Sequence, residues 1–450
     1  MRMRQLVAII PVPACAVLLM TAGSAGATGA GPNGVAAASG QVHAARAAQP
    51  AAAPSGLALP GLRPGASGPG RRVLDDVLSG DSCTTQPDNP SITSACVAVG
   101  FFAGGTSVDG LLESSFNGTW GANTFGSAGI ATFPLSVSCV PQQSDIPTCV
   151  AVGEHFGNSR FPAQLVATGG ANGFSPVVGR NPKGARWSVL SDVSCVSATF
   201  CMLVGVAGPR KPPAPSHATA YRWTGSALHA LKVPAPAHAR EPELISVSCP
   251  TAMSCMAVGQ YLSRAGRFLP YSALWTSGSW HVRTARAIRG KQGTTFEAVS
   301  CAAAGACIAV GLACPRVATC LNEANTAALG ATAFAERYAH GRWTLLRIAA
   351  ERRSAFFGVS CPATSSCVAA GEHGTRSLIE AWNGRSWHVQ AVPRTAAPLT
   401  TDVLFHVSCV TPAICTAVGS RHNPSVRFSF RTLAVGWNGS SWSIQQTINQ

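Results

Sequence analysis

Val407-Ser408-Cys409-Val410-Thr411-Pro412-Ala413-Ile414-Cys415-Thr416-Ala417-Val418-Gly419 is one of seven copies of a single phrase. A Ser-Cys pair opens each copy, with the cysteine at Cys83, Cys139, Cys195, Cys249, Cys301, Cys361 and Cys409. The intervals are 56, 56, 54, 52, 60 and 48 residues. A second cysteine follows in each copy, at Cys96, Cys149, Cys201, Cys255, Cys307, Cys367 and Cys415, and then x-Ala-Val-Gly with small departures at Leu203 and Ala370. Most copies go on to an aromatic residue, a short Gly-containing turn and a Trp, as in Trp275 to Trp280, Tyr338 to Trp343, Trp382 to Trp387 and Trp437 to Trp442.

A period of about 50 residues marks a repeat architecture, and at this length it points to propeller blades rather than helical hairpins. Short runs of Val, Ile, Trp, Phe and Thr, bounded by Gly, Asn, Ser and Pro, are strand-and-turn chemistry. The reading is four strands per copy. In the sixth copy these fall at Phe357–Cys361, Cys367–Gly371, Leu378–Trp382 and Trp387–Val392. Asn383-Gly384 predicts a tight hairpin of primed type, since Asn-Gly accepts positive φ. One four-stranded sheet cannot bury both its faces, and radial stacking buries them all, so Cys-Val-Ala-Val-Gly is apolar at successive positions. The predicted fold is all-β: a seven-bladed β-propeller of four-stranded antiparallel blades, each with a local disulfide.

Residues 1–27 read as a secretory signal: Arg2 and Arg4, an apolar run from Leu6 to Met20, then Ala25-Gly26-Ala27. Residues 28–75 are nearly all Ala, Gly, Pro, Ser and Arg and read as a disordered linker. The propeller takes 76–450. No later segment resembles a transmembrane span, and the expected chain is a secreted monomer. There are 17 cysteines. Cys15 leaves with the signal, and Cys314 with Cys320 adds an eighth pair to the seven of the repeat. An even count, local pairing and an export signal together imply disulfides formed in an oxidising compartment. The Cys-x5-Cys spacing is wider than structural zinc favours, and Cys-x-x-Cys redox motifs are absent. In each pair the two cysteines are expected at the ends of adjacent strands.

The x-Ala-Val-Gly strand followed by aromatic, turn and Trp resembles the kelch-type propeller blade. The fuller Val-Ser-Cys, Cys-x-Ala-Val-Gly, Trp-Asn-Gly-x-x-Trp pattern is similar to repeats in exported proteins of high-GC Gram-positive bacteria. The resemblance covers about residues 75–450 and implies a fold, not an activity. Each strand here ends in one glycine rather than the Gly-Gly of common kelch blades, and the second copy, over Ala163–Trp187, departs from the aromatic–turn–Trp spacing. Galactose-oxidase-like enzymes share the kelch fold, but none of their copper-binding residues carries over.

Candidate chemistry is sparse. Glu154-His155 and Glu372-His373 begin two loops after the second strand and are the candidate acid/base or metal-binding pairs. They belong to copies two and six, which are not neighbours, and solvated loop starts are the weightier explanation. Ser82, Ser138, Ser194, Ser248, Ser300, Ser360 and Ser408 recur before the first cysteine, and satisfying local backbone is the reading preferred over a functional polar ring. Asp192 and His406 share that face in copies three and seven and are left unpaired. The Trp positions read as blade packing. Phosphate loops, calcium loops and nucleophile elbows are missing, so no cofactor and no metal is expected. The chain carries 33 Lys+Arg against 18 Asp+Glu, a net of +15. That surplus favours anionic partners, but the arginines are scattered and nucleic acid is not expected. These features together lead to a binding or scaffold protein at the cell surface, with polysaccharide or protein as partner. A secreted hydrolase or lyase with an irregular rim site is the alternative.

Overall fold

A computed structural model describes residues 75–448, apart from 86–92, 105–106, 127, 142–146, 159–160, 180, 210–215, 321–326, 328, 351, 395–399 and 424–428. The expected signal and almost all of the expected linker lie outside the described residues. The chain is all-β, and its strands fall in order into seven sets of four, here units 1 to 7. The first strands are β1 (Asp75–Thr84), β5 (Ala131–Val140), β9 (Trp187–Ser197), β13 (Arg240–Thr251), β17 (Gly293–Ala303), β21 (Ser354–Ala363) and β25 (Thr401–Thr411). The second strands are β2 (Ala95–Gly104), β6 (Thr148–Phe156), β10 (Phe200–Gly208), β14 (Ser254–Leu262), β18 (Ala306–Cys314), β22 (Ser366–His373) and β26 (Ile414–His422). Third strands are β3 (Ser107–Phe116), β7 (Ala163–Gly170), β11 (His217–Trp223), β15 (Phe268–Thr276), β19 (Thr332–Ala339), β23 (Arg376–Trp382) and β27 (Arg431–Trp437). Fourth strands are β4 (Thr119–Thr124), β8 (Gly173–Val178), β12 (Leu228–Leu231), β16 (Ser279–Val282), β20 (Arg342–Leu346), β24 (Trp387–Gln390) and β28 (Trp442–Gln445). Within each unit the four pair antiparallel in sequence order. Single parallel bridges, Val108 to Ala131 and Phe268 to Gly293, join units 1 and 2 and units 4 and 5 into eight-stranded sheets. One short helix, α1 (Val317–Cys320), lies in the β18–β19 connection. No helix among the described residues is long and apolar enough to cross a membrane.

The glycine that ends x-Ala-Val-Gly has a specific cause. A register shift interrupts every first-to-second strand pairing just beside it, for example between Leu404 and His406 opposite Gly419. The bulge pushes a first-strand carbonyl against the glycine. A Cβ on Gly419 would lie 2.0 Å from Val403 O, and one on Gly100 1.9 Å from Val77 O. The first strands run longer than the sequence suggested because both of their faces are covered; β21 begins three residues before Phe357.

Cores form between units as well as within them. Leu244, Val247 and Trp275 of unit 4 pack with Met202 and Val204 of unit 3, and Val407 and Trp442 of unit 7 pack with Val368 and Ile379 of unit 6. The second Trp is buried in three of the four pairs, with Trp280, Trp387 and Trp442 each 3–4 % exposed, and Trp343 is partly buried, in keeping with a packing role. Unit 2 keeps the hairpin despite its odd spacing: Phe174 stands opposite Gly169 and stacks on Phe125 of unit 1 at 5.4 Å. The Asn383-Gly384 turn is not the expected primed type. Only Gly384 has positive φ, and Asn383 Oδ1 instead accepts from the Arg385 and Ser386 amides, both at 2.9 Å. True two-residue primed turns occur at Asn117-Gly118, Ser277-Gly278 and His340-Gly341.

Eight disulfides are formed. Seven join the first and second strands of a unit, with Cα atoms 3.9–4.0 Å apart. Cys314–Cys320 differs: it ties the end of β18 to α1, at 5.6 Å, rather than two adjacent strands. Peptide mapping of the non-reduced protein should recover these eight local links and no free thiol in the mature chain; a link between distant repeats would refute the arrangement.

Candidate functional site

The recurring serine is half-buried in every unit. Its hydroxyl does not satisfy local backbone. Each Oγ accepts from the amide of the first cysteine in the next unit, at 2.9–3.0 Å: Cys139 N to Ser82, Cys195 N to Ser138, Cys249 N to Ser194, Cys301 N to Ser248, Cys361 N to Ser300 and Cys409 N to Ser360. The seventh bond runs from Cys83 N back to Ser408 Oγ at 2.9 Å. The first strands therefore stand side by side, and the serine replaces the ladder bond that each cysteine amide lacks on that side.

Two residues earlier lies a second row: Gly80, Ser136, Asp192, Ser246, Ala298, Gly358 and His406. It repeats the same logic where its side chains can accept. Asp192 Oδ2 accepts from Val247 N at 2.7 Å, and Ser246 Oγ from Val299 N at 3.2 Å. Asp192 Oδ1 also accepts from Ser136 Oγ at 2.6 Å and from its neighbour Val193 N at 2.8 Å. Gly358 is small because a Cβ there would come within 2.9 Å of His406 Cα.

His406 is the imidazole of this row. Its Nδ1 pairs with Asp81 Oδ1 at 2.8 Å and lies 3.3 Å from the Asp81 amide. The Asp81 side chain is fully covered while 31 % of His406 remains accessible. Burial pulls the imidazole pKa down, but the bond to Asp81 and the charges of Asp81 and Asp192 outweigh this and leave it above the ordinary value. Burial raises Asp81 and Asp192 in turn, and His406 offsets part of that in each. A carboxylate behind an imidazole fixes the ring and raises its basicity, so the pair can hold a proton and present a partly open imidazole. The sequence reading kept His406 and Asp192 apart and missed Asp81, which stands where the other six units carry Val.

The four expected residues sit elsewhere. Glu154 and His155 lie on β6 and Glu372 and His373 on β22, in different sheets. Glu154 is 3 % exposed, its Oε2 has no hydrogen-bond partner, and burial pushes its pKa up to about 8. His155 is buried and pulled down by that burial, with the Ala128 backbone partly offsetting. Glu372 is buried and accepts from Ala327 N at 3.0 Å, anchoring the long β18–β19 connection of the preceding unit. His373 is exposed. Among the described residues no group of three or more His, Cys, Asp or Glu is placed to hold a metal ion.

No protein-family model and no curated protein matches the chain. Solved structures similar to it include the β-propeller domain of the Trilobed protease from Pyrococcus furiosus, at 8 % identity and a TM-score of 0.47, covering 84 % of this chain and 100 % of that one. The BP39L lectin from Burkholderia pseudomallei gives 11 % and 0.46, covering 84 % and 98 %. YCF48 from Cyanidioschyzon merolae gives 13 % and 0.43, covering 81 % and 96 %. The chain is an all-β repeat protein of four-stranded antiparallel units, and the solved structures similar to it include β-propellers. Likeness at these identities is one of chain course alone.

Proposed function

We propose that the chain is a secreted binding or scaffold protein, a seven-bladed β-propeller that presents loops to a polysaccharide or protein at a cell surface. The observation that carries this is a cross-linked frame holding second-to-third-strand connections of very unequal length. In unit 6 that connection is Gly374-Thr375, while in unit 5 it runs from 315 to 331 with its own helix and its own disulfide. Variable loops on a rigid scaffold are where binding is built. Closure at seven is supported by the serine bonds, which return from unit 7 to unit 1. Eight disulfides suit an oxidising, extracellular setting.

The test is retention of the purified chain on cell-wall polysaccharides and surface proteins. It should be repeated with 315–331 replaced by a two-residue Gly-Thr turn and Cys314 changed to Ser. Retention that drops at least tenfold while the melting temperature stays within a few degrees supports the reading. Retention on nothing, or retention indifferent to every such loop, overturns it.

A second reading, a secreted hydrolase or lyase, is favoured by one observation, the Asp81–His406 pair with its imidazole partly open. Glu154, His155, Glu372 and His373 remain its other candidates. Release of new sugar ends or peptide amines from a substrate panel, abolished in His406→Gln, would favour it; turnover unchanged in that variant would exclude His406 from the chemistry.

A further inference from the structure

Units 2 and 3 meet differently from their neighbours, and the difference leaves a cleft of about 360 Å³. In unit 3 the third strand ends in Trp223, and the residue opposite it is Leu228. The same place holds Trp280, Trp343, Trp387 and Trp442 in units 4 to 7, and Trp120 in unit 1. In units 4 to 7 the two facing rings lie 5.2–5.8 Å apart, tilted by 39–58°. Several of these indoles also reach back to the preceding unit. Trp120 Nε1 donates to Gln445 Oε1 at 2.9 Å, Trp442 Nε1 to Gln390 Oε1 at 2.5 Å and Trp343 Nε1 to Ser272 Oγ at 2.8 Å.

At the unit 2–unit 3 junction both halves of that contact are exchanged. Leu228 stands for the Trp. Val177 stands where units 6 and 7 carry Gln390 and Gln445, and Val166 where unit 4 carries Ser272. Leu228, Val166, Val177, Tyr221 and Trp223 all line the cleft, and no Asp, Glu, Lys, Arg or His does. Trp223 and Tyr221 are 4 % and 6 % exposed, while Val177 at the mouth is 44 % exposed. Burial pushes the Tyr221 phenol up to about 12, so it is neutral. The wall is thus uncharged, mostly apolar and partly aromatic, with Gln164 and Ser226 adding polar side chains. The ring that fills this position elsewhere is missing, and so are the Gln and Ser acceptors that other units carry at the places of Val177 and Val166.

We propose that this cleft is a binding site for a neutral aromatic ring, seated against Trp223 as the chain's own indoles are seated in units 4 to 7. An apolar cavity of roughly 150 Å³ lined by aliphatic and aromatic groups takes up benzene, and this cleft is larger. Charged ligands are disfavoured because no counter-charge lines the wall and desolvating an ion there is not repaid. A sugar is disfavoured because only Gln164, Ser226 and the Tyr221 hydroxyl among the lining side chains could pair with its hydroxyls, and Gln164 is 1 % exposed.

The experiment is ligand-observed NMR and calorimetry on the full mature chain with 3-methylindole as the probe and methyl glucoside as the comparison. Expected is saturable binding of 3-methylindole with a Kd on the order of 1 mM or tighter, and at least tenfold weakening in Leu228→Trp, which restores the repeat's own residue. Val177→Phe, at an exposed position, blocks the mouth and gives the same loss should Leu228→Trp fail to fold. No saturable binding, binding unchanged in a folded variant, or methyl glucoside displacing the probe would each overturn the proposal.

Discussion

Replacing His406 by Ala should destabilise the protein by about 3 kcal/mol, because it strands a wholly buried carboxylate without its partner. The side chain of Asp81 has no accessible surface, so water cannot take over from the imidazole. The double variant Asp81→Val, His406→Ala should recover most of that loss. It puts at this junction the residue that Val137 supplies in unit 2, and an apolar replacement of a buried pair is often neutral. A double-mutant cycle by denaturant unfolding reads the coupling, and a double variant as weak as His406→Ala alone would sink the argument. The position makes the effect worth measuring. The chain runs through the other six unit-to-unit junctions, but units 1 and 7 meet only through non-covalent contacts. Most of these are general features: the Cys83–Ser408 bond has six counterparts, and Trp120 to Gln445 repeats Trp442 to Gln390. The amide of Asp76 donates to Phe430 O at 3.2 Å just as Asp402 N donates to Thr375 O at 3.2 Å. Asp81 with His406 breaks the pattern, as does the Phe430 amide donating to Asp75 Oδ1 at 3.0 Å. Since the pKa of His406 is raised in the fold, its contribution is complete below the ordinary histidine value of about 6.5 and is lost as pH climbs through the raised value.

The periodic features were legible because periodicity itself encodes them. The four strands of each copy, the seven Cys pairs and most of the Trp recur in the same order in every copy, and a repeated residue reports a repeated environment. The contacts between units were not legible. Ser408 repeats as clearly as Cys409, yet nothing in one copy says that its hydroxyl serves the next copy's amide, since the stagger between first strands is a property of their packing. Asp81 and His406 are 325 residues apart, and each is a single departure from the repeat. The available signal was Asp in place of Val at 81, a charge where six copies are apolar. Glu154 drew attention through its neighbour His155, but its surroundings are set by Phe133 and Gln164 on the flanking strands, which the motif does not contain. Cys314–Cys320 copies the spacing of the other pairs and not their setting, because a helix rather than a return strand follows Cys314.

Glu154→Gln should stabilise the protein above neutral pH and leave it unchanged in acid. Glu113, Glu154 and Glu243 are each buried, and burial pushes each pKa up to about 8. A carboxyl with a raised folded-state pKa keeps its proton where the unfolded chain has released it. Its stability contribution is therefore whole below the unfolded value, near 4.5, and falls as pH rises toward 8. The fall is about 1.4 kcal/mol per pH unit for one such group, so by pH 7 Glu154 alone costs about 3 kcal/mol relative to a neutral amide. Its Oε2 has no hydrogen-bond partner to repay the charge, and burial alone sets its pKa, whereas Glu243 also accepts from Gln260 through Oε1. Imidazoles act in the opposite sense: burial pulls His155, His217 and His422 down, and they favour the fold above about pH 6.5. The wild-type curve sums both trends, so the informative quantity is the difference between wild type and variant. Denaturant midpoints measured for both proteins from pH 4 to pH 9 should coincide at the acid end, diverge from about pH 5 to about pH 8 with the variant higher, and then run parallel. Parallel curves across the whole range would mean that Glu154 meets water in the folded protein, and that the wall between units 2 and 3 is open behind it.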